Sequence, residues 1–180
     1  LHHEIKDKID DIKSVEITTH ESAIRIISKV GELNNPADRD HCLQYMVAIG
    51  LLKGNLVAED YEDDVAKDSR IDALREKMII NEDKRYSKEY LEADKRSIAN
   101  RIQIHFNDGT ATDEVEVEYP IGHKRRRKEG IPVLEKKFKD NLAITYDEEV
   151  SNNIFNLCMN QKELEETSVI DFQSLFSKIP

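Results

Sequence analysis

Two groups of side chains stand out as able to do acid–base or anion chemistry. In residues 35–52, NPADRDHCLQYMVAIGLL, an imidazole (His41) and a phenol (Tyr45) are spaced i and i+4, which on a helix sets one above the other. Imidazole titrates near neutrality. A phenol, with an ordinary pKa of about 10, needs a neighbouring cation or a proton relay to act there. The second group is His123-Lys124-Arg125-Arg126-Arg127-Lys128. Guanidinium forks match carboxylates with paired hydrogen bonds, so this run is suited to capturing carboxylates. Each group has a plainer alternative. Tyr45 and His41 can be packing residues bonded to backbone, and the basic run can be a solvated loop that neutralises acidic residues 59–64 and Glu148-Glu149.

The element that must position the first group is a helix over residues 35–52. Asn35 is a good N-cap, Pro36 suits the first helical position, and Asp38 complements the helix dipole. Helical spacing puts Leu43, Met46, Val47, Gly50 and Leu51 on one face, fit for a core. Asp38, His41, Tyr45 and Leu52 share the opposite face, which would look into a cleft. Lys53-Gly54-Asn55 ends the helix.

Around it the pattern is mixed. Val15 and Ile17 alternate with polar residues as in a half-buried strand, and the period of residues 21–31 is ambiguous. Residues 59–68 read as a short acidic helix, followed by a helix capped by Ser69 with Ile71, Leu74 and Met78 at helical spacing. Ile79 and Ile80 suit a short strand, and residues 81–95 read as a charged surface excursion. Ile102, Ile104 and Phe106, then Val115, Val117 and Tyr119, alternate on either side of Asp108-Gly109, the signature of a β-hairpin. These strands predict a small antiparallel sheet with one face on a core. The basic run then reads as a loop, with Pro132 opening a helix through Leu134, Phe138 and Leu142. Apolar stripes at Val150, Ile154 and Leu157, and at Val169, Phe172 and Phe176, mark the last helices, which lack strand partners. The fold class is therefore α+β: residues 1–142 a small α+β domain, and residues 143–180 helices that pack against something outside the chain.

Bulk properties exclude several functions. A net charge of −10 opposes general nucleic-acid binding. No apolar run is long enough to span a bilayer. Cys42 and Cys158 make neither a disulfide framework nor a metal-spaced cluster, and suit a reducing cytoplasm. They are too few for an iron–sulfur centre. No glycine-rich nucleotide loop is present, which removes nucleotide cofactors from the leading reading. Cys42 lacks a clear activating base, and His20 and His105 read as surface residues.

NPADRDHCLQY, EDYEDDVAKDSRIDALREKM, KRSIANRIQIHFNDGT and EYPIGHKRRRKEGIP resemble, in this order, the C-terminal part of the MmgE/PrpD family. The likeness runs over nearly the whole chain and is weakest after Tyr146. It implies a hydro-lyase converting 2-methylcitrate to 2-methyl-cis-aconitate and water, in propionate breakdown through the 2-methylcitrate cycle. It places Tyr45 on a tyrosine that lines the family's active site, and His41 and Gln44 on the same motif. The basic form of residues 123–128 resembles the dehydratase branch, with His123, Lys124, Arg125, Arg126 and Arg127 as candidates for substrate carboxylates. The family pairs a large helical domain with a small α+β domain, forms homodimers and works without metal. On that reading the chain is a piece of a longer enzyme whose remaining His and Lys site residues lie elsewhere, and is itself inactive. The alternatives are another activity of the family, cis-aconitate decarboxylation or citrate dehydration, and a non-catalytic interaction domain.

Overall fold

The computed structural model describes residues 1–177. Two compact units divide the chain, Leu1–Pro120 and Ile121–Pro180. The helix expected to close the first unit before residue 142 is thus grouped with the C-terminal helices.

In chain order the first unit contains α1 (His2–Ile5), β1 (Ile12–Thr19), α2 (Glu21–Ile27), α3 (Pro36–Asp40), α4 (Leu43–Lys53), α5 (Asp63–Ala66), α6 (Ser69–Glu76), β2 (Met78–Glu82), α7 (Lys84–Leu91), β3 (Asn100–Phe106) and β4 (Val115–Val117). The sheet order is β2-β1-β3-β4, in an α+β arrangement. β1 is central because its apolar residues meet those of both neighbours: Val15 faces Ile104 and Ile17 faces Ile102 across the antiparallel β1–β3 pair. A bulge between Ile12 and Ser14 lets Ile12 join Val15 and Ile17 on the core side despite the odd spacing.

The sheet departs from the antiparallel expectation at one edge. β2, the strand around Ile79 and Ile80, runs parallel to β1. Parallel pairing requires a long crossover, and α2 to α6 supply it. The hairpin after β3 forms as its residues dictate: Gly109 takes a φ of +86°, and the Asp108 carboxylate accepts the Thr110 amide at 2.8 Å. Residues 81–95 are not merely a surface excursion. They form α7, whose Tyr86 is fully buried.

Residues 35–52 form two helices rather than one. Asn35 caps α3 as expected, its Oδ1 accepting the Asp38 amide at 2.9 Å. The chain leaves the helical region at His41 (φ −107°, ψ 28°) and is extended at Cys42, the N-cap of α4. This break resets the helical phase, so the faces read across it do not carry over. Gln44, Tyr45, Ala48, Ile49 and Leu51 are the buried residues of α4, while Leu43, Met46, Val47 and Gly50 are only half-buried. Gly54 ends α4 in the left-handed region at φ +81°, where a Cβ would lie 2.7 Å from the His2 ring. Ile71 and Leu74 of α6 complete the core with Ile5 and Phe106.

The second unit holds α8 (Arg127–Thr145), α9 (Glu148–Met159), α10 (Gln161–Glu166) and α11 (Val169–Phe176). The basic run is not a loop: Lys124–Arg126 is a 3-10 turn leading directly into α8. Pro132 lies beyond the first turn of α8 and forgoes one helical hydrogen bond. Gly130 is required here, because a Cβ would fall 2.2 Å from the Ile121 carbonyl oxygen. Side chains of Asp147, Asn160 and Ser168 cap α9, α10 and α11. Ile154 is fully buried, Phe138 packs on Phe155 at 5.8 Å, and the Tyr146 hydroxyl donates to the Phe176 carbonyl at 3.0 Å. Ile131, Val133, Leu134, Ile144, Val169 and Ile170 remain exposed.

Ile104 touches both β1 and the helical layer and is fully buried. Ile104→Ala is expected to cost about 2–5 kcal/mol of stability, read from the midpoint of chemical denaturation at unchanged slope.

Candidate active site

Tyr45 enters the core because α4 begins only at Leu43, which turns its third residue inward. Its ring is 2% exposed and stacks on Tyr61 with centroids 6.2 Å apart. The hydroxyl donates to the Asp60 carbonyl oxygen at 2.6 Å. The expectation of a phenol facing a cleft is therefore not met in this chain. Burial chiefly pushes its pKa up, Arg39 opposes this, and Asp60, Asp72 and Tyr61 reinforce it. Such a phenol is a poor base near neutrality.

Gln44 is also turned inward. Its amide nitrogen donates to Ser28 Oγ at 2.9 Å and its oxygen accepts the Lys29 amide at 3.1 Å, tying the segment after α2 to the start of α4. His41 has the opposite fate. At the break between helices its side chain is 63% exposed, with Nδ1 paired to the Asp40 carboxylate. Nε2 has no hydrogen-bond partner among the described residues. The break thus separates the two groups that one helix would have stacked.

A polar cluster not singled out in the sequence surrounds Tyr45. Arg39, 5% exposed, donates from Nη1 to the Tyr61 carbonyl at 2.6 Å and from Nη2 to Asp63 at 2.8 Å. The buried Asp60 carboxylate accepts the Val57 amide at 2.9 Å and Lys53 Nζ at 2.5 Å. These groups clamp residues 57–63 onto α3 and α4. The only sequence signal was a lone Arg between Asp38 and Asp40, which reads equally as a solvated helix face. His20, expected at the surface, is 6% exposed. It caps α2 through Nδ1 and stacks on Tyr90 at 4.3 Å, and burial lowers its pKa against Glu21.

In the second unit, His123 Nδ1 accepts the Arg125 amide at 3.2 Å and starts the basic turn. Arg126 pairs with Glu129 at 2.8 Å. Lys124, Arg125, Arg127 and Lys128 are exposed. Cations crowd the N-terminal end of a 19-residue helix, where the backbone dipole is already positive. Arrangements of this kind favour an anion. Among the described residues no group of three or more His, Cys, Asp or Glu gathers as a metal site.

With these elements in place, comparison with known proteins is specific. Residues 1–161 match the MmgE/PrpD C-terminal domain, and the chain belongs to the MmgE/PrpD family. It is 54% identical to the 2-methylcitrate dehydratase of Escherichia coli (strain K12) over 92% of its own length and 34% of that relative. It is 50% identical to the mitochondrial 2-methylcitrate dehydratase of Yarrowia lipolytica, over 99% of the chain and 34% of the relative. An alkylcitrate dehydratase of Talaromyces stipitatus is 38% identical over 94% of the chain and 36% of the relative. The chain spans about a third of the length of these curated relatives. No helix among the described residues is long and apolar enough to cross a membrane.

The buried phenols carry a pH signature. Burial first, and then Glu116, push Tyr86 up to about 12, and Tyr45 is raised in the same direction. In the unfolded chain both ionise near about 10. Their contribution is therefore complete below about pH 10 and is lost as pH climbs toward about 12, where the unfolded chain has released protons that the folded one retains. Denaturation midpoints measured from pH 9 to pH 12 should fall through this window, and Tyr86→Phe should flatten the fall.

Proposed function

We propose that the intact protein is a hydro-lyase that removes water from 2-methylcitrate to give 2-methyl-cis-aconitate. What carries this reading is the 54% identity to a named 2-methylcitrate dehydratase over 92% of the chain. The elimination breaks a C–H bond beside a carboxylate and a C–OH bond and forms a C=C bond, with the proton and hydroxyl leaving as water. It needs a base, an acid for the departing hydroxyl, and cations for three carboxylates.

This chain is proposed to supply two of these needs. His41 offers an accessible imidazole whose Nδ1 is held by Asp40, which orients Nε2 for proton transfer. Lys124, Arg125 and Arg127 at the start of α8 hold substrate carboxylates, with His123 and Arg126 shaping the turn. Tyr45 and Gln44, both engaged within the first unit, act as positioning residues that fix α4 and hence His41. The remaining acid–base groups belong to the rest of the intact protein. No metal or cofactor enters this reading. A homodimer follows from the family resemblance. A reducing compartment such as the cytoplasm suits the two unpaired cysteines, although one relative is mitochondrial.

Assays of the intact enzyme with 2-methylcitrate, citrate and cis-aconitate test the assignment. Preference for 2-methylcitrate is expected, and preference for cis-aconitate with release of CO₂ would reject it. Arg125→Ala combined with Arg127→Ala should raise KM about 10- to 100-fold with little change in kcat, whereas His41→Ala should lower kcat about 10²- to 10⁴-fold. Tyr45→Phe should cost about 1–3 kcal/mol of stability by leaving a buried carbonyl unpaired. A large loss of kcat at unchanged stability would instead give the Tyr45 hydroxyl a direct part in the chemistry.

A further inference from the structure

α2 is held from its ends rather than along its length, since none of its seven residues is buried. At the far end, the Gln44 amide bonds Ser28 and Lys29. At the near end, two contacts tie it to α7. The Ser87 hydroxyl accepts the Glu21 amide at 2.8 Å and donates to the Glu82 carboxylate at 2.7 Å. The His20 ring, almost fully buried, lies flat on Tyr90 with centroids 4.3 Å apart and planes inclined by 8°.

The cap fixes the state of that ring. His20 is the N-cap of α2, and its Nδ1 accepts the Ala23 amide at 3.2 Å, an amide shared with the His20 carbonyl at 3.1 Å. An imidazole nitrogen accepts only while it carries no proton, so the ring is neutral with its proton on Nε2. Protonating Nδ1 sets two N–H groups against each other at the helix start and places a cation in a buried site. The surroundings do little to offset this. Glu21 favours the imidazolium, but its carboxylate is exposed and pairs with Arg25. Glu82 on β2 is engaged by Lys84 and Ser87. α7 presents the Tyr90 ring, and Arg101 of β3, which lines the same groove as His20 and Tyr90, repels a second cation. Burial accordingly holds the His20 imidazole below its ordinary pKa, with Glu21 opposing.

We infer that His20 is an acid-released latch: the neutral ring caps α2 and seats it on α7, and the imidazolium lets the first turn of α2 come away while the sheet stays folded. The inference is independent of the dehydratase chemistry, so its test needs no turnover. With α2 released, the ring titrates near about 6.5, and with α2 seated it titrates lower. The latch is therefore fully engaged above about pH 6.5, and opening becomes easier as pH falls from there to the pKa of the seated ring.

Hydrogen exchange of the intact protein, read by mass spectrometry at about pH 7.5 and about pH 5.5, tests this through protection factors that allow for the intrinsic exchange rate at each pH. Protection of residues 21–27 is expected to fall about 5- to 10-fold at the lower pH, with β3 staying at least about 10-fold better protected than α2 throughout. His20→Asn keeps a capping oxygen that takes no proton in this range, and should abolish the pH dependence. Ser87→Ala removes the second tie and leaves the imidazole in place, so it should lower α2 protection at both pH values and keep the dependence. Nitrogen NMR of the histidine rings in the unmodified protein should show a ring with Nδ1 bare and Nε2 protonated that is missing in His20→Asn. Unchanged α2 protection between the two pH values would overturn the inference, as would a fall that persists in His20→Asn. A dependence lost in Ser87→Ala would transfer it to Glu82, equal losses in α2 and β3 would make it acid unfolding of the whole unit, and a proton found on His20 Nδ1 would remove the cap; each of these also overturns it.

Discussion

The first unit depends on how α4 is seated. The helix is apolar on both flanks, with Tyr45, Ala48 and Ile49 pressed into the core and Leu43, Met46 and Val47 on the other side. A helix of that composition has no preferred orientation of its own. Its rotation is set by a few directional contacts: the Tyr45 hydroxyl on the Asp60 carbonyl, the Gln44 amide on Ser28 and Lys29, and the Gly54 cap beneath His2. The exposure of His41 follows from that rotation, because the helix break leaves it outside the packed layers.

Features dictated by neighbouring residues were legible in the sequence. Asn35 and Pro36 start a helix, Gly54 ends one, and Asp108-Gly109 turns a hairpin, each through chemistry confined to a few positions. Features set by distant partners were not. Which flank of α4 is buried depends on residues 57–63, which no period within the helix reveals. The parallel pairing of β2 depends on a strand more than fifty positions earlier. Pro132 is a good opening residue and the basic run resembles a loop, so local signals point to a later start of α8 than Arg127, where Gly130 packing against the Ile121 carbonyl makes the earlier start possible.

The candidate site shows the same division. Residue types pointed to acid–base and carboxylate-binding groups, imidazole and guanidinium, and several separated strings carried the resemblance to the family. Geometry separates these side chains by exposure. His41 and the start of α8 are accessible, whereas Tyr45 and Gln44 are consumed by internal hydrogen bonds. Arg39 and Asp60, invisible as a pair in the sequence, hold that motif in place.

The central position of β1 also orders events during synthesis. Its two partners begin at Met78 and Asn100, so the earliest strand to leave the ribosome has nothing to pair with until most of the unit has emerged. Closing such distant contacts is slow, and an unpaired apolar strand invites association with other chains. Until Phe106 is out β1 lacks its antiparallel partner, and the β3–β4 hairpin, being local, is the piece that can form first.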